Sequence, residues 1–252
     1  MSAKSFNNFY QQWHSKIDVI VRARGARLRW PSLTSAVNNG ITTFATDGPL
    51  LIWNAPTKSS SGLGRQTRQA IFVGASFDFS NVDGVDVLIK GASHLAIYRV
   101  SPLDDGYEAE LFDQIHFDME KGISQTKFHP IFHVQRGSEN TLDSPKYHRL
   151  LAEEARLDLE KIVIRNATPV ASPYLRLPSP QMDFFAVMTM IMADFFCNPK
   201  LYASSEASFK ALLRLLKGNA NIAREGQSAG ILRLRQQVAT FDSLAHWYAE
   251  SV

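Results

Sequence analysis

The chain has 252 residues, of which 45% are hydrophobic and 20% are charged, and its net charge at neutral pH is +3. This composition is typical of a globular protein with a core and argues against global disorder. A single cysteine, Cys197, rules out an internal disulfide and indicates a reducing compartment such as the cytoplasm. The mild positive charge permits contact with nucleic acid without requiring it.

The first predicted element is an amphipathic helix over residues 6–23. Phe9, Trp13, Ile17 and Ile20 recur at steps of three or four residues and can form one apolar face. Because this segment lacks an uninterrupted apolar stretch, it does not predict a signal peptide. A basic segment follows, which indicates either phosphate contacts or a solvated helix end. Its arginines are Arg22, Arg24, Arg27 and Arg29.

Strands are predicted next. Residues 40–56 predict two short strands around an Asp-Gly-Pro turn, and residues 58–68 predict a basic surface loop rich in serine and glycine. Between residues 69 and 135 the hydrophobic period is two, and turn residues separate five predicted strands. Short connections make successive strands antiparallel neighbours, so we expect a meander. The cations of the loop are Lys58, Arg65 and Arg68.

After residue 145 the pattern is mainly helical, apart from a proline-containing extended segment at 166–180. Helices are predicted near residues 147–160, 181–197, 204–217 and 229–250. The helix at 181–197 carries four methionines and four phenylalanines on more than one side, which predicts a deeply buried helix or a subunit interface. Its apolar stretch is too short to span a membrane, so a membrane partner is not expected.

The order of these elements predicts an α+β fold. We expect an antiparallel β-meander of about five strands, with the N-terminal helix and the C-terminal helical region packed on one face. A single domain over residues 1–252 is the expectation, because the sheet needs apolar cover. A sub-boundary near residue 140 would separate a helix-plus-sheet part, residues 1–140, from a mainly helical part, residues 141–252.

The last predicted strand, KFHPIFHVQ at residues 127–135, carries two histidines. Since alternate residues of a strand share a face, Phe128, Phe132 and Val134 define a core face. His129 and His133 then lie roughly 13 Å apart along the other face, too far to hold one metal ion directly. That polar face comprises Lys127, His129, Ile131, His133 and Gln135.

The preceding strand adds polar side chains of one parity. If the two strands form a hairpin, His116 and Asp118 lie across from Lys127 and His129, and a third strand adds His94 or Arg99. Three interpretations are open: an acid–base or nucleic-acid-binding face of the kind used by metal-independent ribonucleases, a His/Asp/His metal site, or a solvated sheet face. The catalytic candidates are His129, His133, His116 and Lys127; no metal ligand is assigned, and the sequence does not identify a cofactor.

Familiar catalytic motifs are not found. The sequence has no Walker loop, no GxGxxG after a strand, no GxSxG, no HExxH and no CxxC pair. These absences weigh against a nucleoside triphosphatase, a dehydrogenase, a serine hydrolase and a zinc protease.

One resemblance covers residues 117–197. The run FDMEKGISQTKFHPIFHVQRG, followed by LRLPSPQMDFFAVMTMIMADFF, resembles uncharacterised bacterial proteins encoded near toxin–antitoxin or phage-defence genes. The resemblance implies a defence or stress setting and no particular chemistry. The matching positions are His129, Pro130, His133, Gln135, Arg176 and Pro178.

We therefore expect a cytoplasmic protein of a defence or toxin–antitoxin type that binds RNA or single-stranded DNA, and whose histidine face is a candidate for cleaving it. The alternative is a non-catalytic subunit of a homo-oligomer or of a multi-protein complex, with the Met/Phe-rich helix and the C-terminal helices as interfaces. The residues expected to contact nucleic acid are Arg22, Arg24, Arg27, Arg29, Lys58, Arg65, Arg68, Gln135 and Arg176.

Overall fold

The computed structural model describes eight segments: residues 3–56, 68–82, 85–120, 132–136, 144–165, 176–178, 184–197 and 207–214. The helices are α1 Ala3–Arg22, α2 Ser144–Ala155, α3 Phe184–Ile191, which continues as a π-helix over Met192–Phe196, and α4 at residues 207–214. The strands are β1 Arg27–Arg29, β2 Leu33–Asn38, β3 Ile41–Thr46, β4 Leu50–Ala55, β5 Arg68–Val82, β6 Val85–Leu103, β7 Gly106–Glu120, β8 Phe132–Arg136, β9 Ile162–Arg165 and β10 Arg176–Pro178.

The predicted α+β class is confirmed, but the sheet is larger than predicted. Within the described residues it has ten strands rather than about five, and its main path runs in the order β1-β4-β5-β6-β7-β8-β10. β3 pairs with both β5 and β2, and β9 pairs in parallel with β7. The centre is the predicted meander, made of the antiparallel strands β5, β6 and β7. β6 joins two predicted strands, because pairing continues through Gly91 on both of its sides.

β3 and β4 match the two short strands predicted over residues 40–56, whereas β2, which forms a hairpin with β3, was missed. The two strands are joined at Asn39 and Gly40, both of which have positive φ angles, 49° and 76°. An Asn-Gly pair with left-handed backbone is the preferred two-residue connection of a hairpin, because its twist matches that of the strands. The dipeptide was therefore a usable signal for this hairpin.

Both faces of the sheet carry helices, which corrects the prediction of one covered face. On the face that we call face A, α1 and α3 pack against strand residues such as Ile71 and Val73. On the opposite face, face B, α2 packs against Ala70 and Phe72. The reason is local: successive residues of this part of β5 are all apolar, so the strand requires cover on each side.

The helices on face A behave as their sequence predicts. Trp13 and Ile17 of α1 are fully buried, as are Phe185 and Met188 of α3. The Met/Phe-rich helix is thus a core element of this chain, so little of its apolar surface is left to act as a subunit interface. Leu212 of α4 is buried in the same core, while the predicted helix at residues 229–250 lies outside the described residues.

The helices after residue 140 pack on strands that precede it. α2 contacts β4, and α3 contacts β5 and β6. The number of domains stays a prediction. Within the described segments, no helix combines the length and the apolar character needed to cross a membrane.

Candidate functional site

Three histidines and one aspartate meet on face B, at the end of the sheet away from α2. His94 comes from β6, His116 and Asp118 from β7, and His133 from β8. We call these four residues the histidine cluster. The register explains the meeting, because His94 is paired with His116 and Asp118 is paired with His133. Their sequence neighbours on these strands, such as Leu95 and Phe117, point into the core of face A.

The side chains of the cluster are in direct contact. The rings of His94 and His116 lie 3.9 Å apart between centroids, with an angle of 33° between their planes. Asp118 bridges the other two histidines: one carboxylate oxygen is 2.7 Å from Nε2 of His116, and the other is 3.3 Å from Nε2 of His133. The His116 contact is close but does not have the geometry of a hydrogen bond.

The charge state of Asp118 follows from two opposing effects. Burial raises the pKa of this carboxyl group, because it disfavours the charged form. The contacts with His116 and His133 outweigh burial and hold the pKa of Asp118 well below its usual range. Asp118 is therefore a carboxylate throughout the physiological pH range.

The pKa of His94 is lowered, whereas a histidine paired with a carboxylate has a raised pKa. Burial, followed by the charge of the neighbouring His116, lowers the pKa of His94 to about 4, although the more distant Asp118 acts against this change. Its Nδ1 atom is buried and has no hydrogen-bond partner among the described residues. At neutral pH His94 is an uncharged imidazole, which can accept a proton.

The four groups differ in their access to solvent. The side chain of His133 is only 4% exposed, whereas those of His116 and Asp118 are 16% and 23% exposed. Nε2 of His116 is buried against Asp118, so a ligand above face B can reach Asp118 and only the other atoms of the His116 ring. It reaches His133 only through Asp118, so His133 is suited to hold that carboxylate in position.

The predicted pairing of the two histidine-bearing strands is wrong in register. His116 pairs with Gln135 and Asp118 pairs with His133, not with Lys127 and His129. His94 joins from the third strand, as predicted. Lys127 and His129 lie outside the described residues, so their catalytic roles stay predictions.

Two further predicted residues lie beside the cluster. Gln135 of β8 is paired with His116 on one side and with Arg176 of β10 on the other. The row of paired residues across the sheet is therefore Gly74, His94, His116, Gln135 and Arg176.

The basic segment after α1 lies apart from the cluster and has protein partners. Arg22 pairs with Asp18, and Arg24 donates a hydrogen bond to the carbonyl of Phe196. Arg27 and Arg29 form ion pairs with the α2 residues Glu154 and Glu153. These contacts give the four arginines a structural role, and their predicted contact with nucleic acid stays a prediction.

The remaining cations fall into two groups. Arg68, predicted in the basic loop, is the first residue of β5, whereas Lys58 and Arg65 lie outside the described residues. Arg99 lies over the ring of Phe112, 3.8 Å from its centroid, and takes no part in the cluster.

Metal binding was a further interpretation of the predicted polar face. In the described part of the chain, no group of three or more His, Cys, Asp or Glu side chains has an arrangement that could hold one metal ion. The cluster fits this result, because each oxygen of Asp118 faces a different imidazole.

Comparisons with protein-family models, with curated proteins and with solved structures found no match for this chain.

Proposed function

We propose that this protein binds RNA and cleaves it by acid–base chemistry at the histidine cluster. The observation that carries the proposal is the contact between His94 and His116, 3.9 Å apart, beside the carboxylate of Asp118. Two imidazoles in contact can supply a base and an acid in one site. Cleavage at a ribose needs no external nucleophile, since the 2′-hydroxyl is part of the substrate.

The roles follow from charge and access. His94 is the general base because it lies against His116 and is uncharged at neutral pH, although its lowered pKa makes it a weaker base than an ordinary imidazole. His116 is the general acid, and Asp118 balances its positive charge when it carries a proton. His133 is a positioning residue, because it is almost fully buried and contacts Asp118.

The proposed reaction transfers the phosphorus atom from the 5′-oxygen to the 2′-oxygen, and its atoms and charges balance. His94 removes the proton of the 2′-hydroxyl, and the 2′-oxygen forms a bond to phosphorus. The bond between phosphorus and the 5′-oxygen breaks, and His116 donates its proton to that leaving oxygen. The products are a 2′,3′-cyclic phosphate and a 5′-hydroxyl end.

Binding would use the same row of the sheet. Gln135 follows His116 in the row, and Arg176 follows Gln135. An arginine in this row favours phosphate binding through its positive charge. The resemblance of residues 117–197 to proteins encoded near defence genes extends the proposal to a bacterial defence or toxin–antitoxin role.

The test is a cleavage assay on a labelled single-stranded RNA without added metal. We expect the wild-type protein to produce cyclic-phosphate ends, and His116→Ala to reduce the rate by about 100-fold or more, the usual contribution of a general acid. The control is His14→Gln, which removes a histidine that stacks on Trp30 of face A, far from the cluster. Tm is measured for each variant, so that unfolding is not mistaken for lost catalysis.

Two results would overturn the proposal. One is a wild-type protein that neither binds RNA at low salt nor cleaves it. The other is a folded His116→Ala protein that cleaves as fast as the His14→Gln control.

A further inference from the structure

Four strands lie at the edges of the sheet within the described residues: β1, β2, β9 and β10. An edge strand presents backbone N–H and C=O groups that can pair with another strand, and proteins limit this pairing with short edges, charged side chains and proline. β1 and β10 are three residues long and β9 is four. Each of these three contains arginine, and β10 also contains Pro178, so all three are poor templates for pairing.

The edge strand β2 has none of these features. Its six residues, LTSAVN, include no charged side chain and no proline, and five of the six are exposed. Val37, at 74%, is the most exposed large hydrophobic side chain among the described residues. β2 is therefore the edge best suited to accept a strand, and an uncharged strand does not repel a copy of itself.

The hairpin geometry shows which backbone groups of β2 point outward. A two-residue connection makes Asn38 and Ile41 a pair that exchanges backbone hydrogen bonds, so the even-numbered residues of β2 direct their N–H and C=O groups at β3. The carbonyl of Ser32 continues this alternation, since it accepts a hydrogen bond of 3.0 Å from the N–H of Asp47. The residues whose backbone groups point away from β3 are Leu33, Ser35 and Val37.

These three outward residues form a self-complementary set. An antiparallel copy of β2, related by a two-fold axis through Ser35, places Ser35 opposite its own copy and Leu33 opposite Val37. Directly opposed residues of this kind exchange both of their backbone hydrogen bonds. Leu33 lies on face A, and Val37 shares its parity, so the pairing also covers Val37 with an apolar side chain.

We propose that the protein forms a homodimer in which two copies of β2 pair antiparallel about Ser35 and join the two sheets into one. The contact uses the same surface on both copies, so it closes after two chains and does not propagate. The inference is independent of the proposed RNA cleavage.

Sedimentation equilibrium of the full chain tests the assembly. We expect the wild-type protein to have twice the mass of its 28.2 kDa chain. Ser35→Lys places two lysine side chains opposite each other at the axis, so we expect a monomer. The matched control is Val163→Lys, which adds the same charge at an exposed position of the edge strand β9 and should leave the dimer intact. Circular dichroism checks that each variant is folded.

Disulfide formation tests the register. The Cα atoms of a hydrogen-bonded antiparallel pair lie about 5.5 Å apart, a distance that a disulfide spans. Ser35→Cys should therefore cross-link to its own copy under mild oxidation. Val37→Cys should not, because an offset of four residues separates its two copies by roughly 13 Å along the strands. Both variants also carry Cys197→Ser, which removes the only native cysteine.

The inference holds if the wild-type protein is a dimer, Ser35→Lys is a monomer and Ser35→Cys cross-links while Val37→Cys does not. A wild-type protein that sediments as a monomer would overturn it. So would a Ser35→Lys protein that stays dimeric, or a Val37→Cys protein that cross-links as readily as Ser35→Cys.

Discussion

The two ends of face B are built on the same three central strands, yet they have opposite character. At one end, Phe72 and Tyr98 are buried in the same hydrophobic cluster as Leu151 of α2. At the other end, two residues further along β5 and four along β6, the corresponding positions are Gly74 and His94. The change from large apolar to small and polar side chains takes one two-residue repeat on β5 and two such repeats on β6.

The comparison separates a structural end, under α2, from a histidine end, where the proposed site lies. A face that carried apolar residues along its whole length would need cover along its whole length. By changing to glycine, serine, alanine and histidine, β5 and β6 leave part of face B partly accessible while face A keeps a continuous core. The core on face A supports the strands from behind, which holds the histidine cluster in a fixed register.

The largest effect on stability is expected from the structural end. Leu151 of α2 is fully buried between this helix and the sheet. Leu151→Ala removes buried methyl groups and leaves a cavity, so we expect the free energy of unfolding to fall by about 2–5 kcal/mol. Denaturation in urea measures this change.

The same variant tests whether the two ends are independent. If the comparison is correct, the folded fraction of Leu151→Ala keeps the RNA affinity and cleavage rate of the wild-type protein. A loss of RNA affinity in folded protein would show that α2 contributes to the site, and the division of face B would have to be withdrawn.

The second effect belongs to the histidine end and depends on pH. The pKa of His94 is about 4 in the folded protein, against an ordinary value of 6.5. Between these two values the unfolded chain binds more protons than the folded chain, so stability falls as pH falls from 6.5 to 4. The total loss from this group is about 3 kcal/mol, at most about 1.4 kcal/mol for each pH unit.

Removing the imidazole should remove this dependence. We expect His94→Gln to lose less stability than the wild-type protein between pH 6.5 and 4, measured by urea denaturation at each pH. Parallel pH profiles for the two proteins would mean that His94 does not titrate as its burial implies, and its role as an uncharged base would fail with it.

The faces of the histidine-bearing strands could be predicted from the sequence, but their pairing could not. The period of two assigns His116, Asp118 and His133 to one face, as observed. Asp118 faces His133 and not Lys127, a shift of six residues. A shift by an even number keeps every side chain on its face, so the hydrophobic pattern does not oppose it. The register depends on the connection and on tertiary packing, which the pattern does not report.

The cover of both faces was missed for a related reason. Ile71 and Val73 indicate one core face of the strand. That interpretation considers only every second residue. Ala70 and Phe72 on the alternate positions are also apolar, and they required a second helix layer. The change from Phe72 to Gly74 and Ser76 was equally visible in the sequence, but the sequence did not show that Gly74 lies beside His94.

The smallest effect is expected at the rim of the structural end, where Arg29 of β1 pairs with Glu153 of α2. Both side chains are more than 40% exposed, and an exposed ion pair contributes about 0.2–1 kcal/mol. Arg29→Ala should therefore lower the free energy of unfolding by no more than about 1 kcal/mol in urea denaturation.

The same variant decides between the two roles of this arginine. If it acts only on stability, the RNA affinity at low salt is unchanged, and nucleic acid binds face B through the histidine end alone. If affinity falls and its salt dependence weakens, Arg29 contacts phosphate as the sequence predicts, and the functional surface extends across the edge of the sheet to α2.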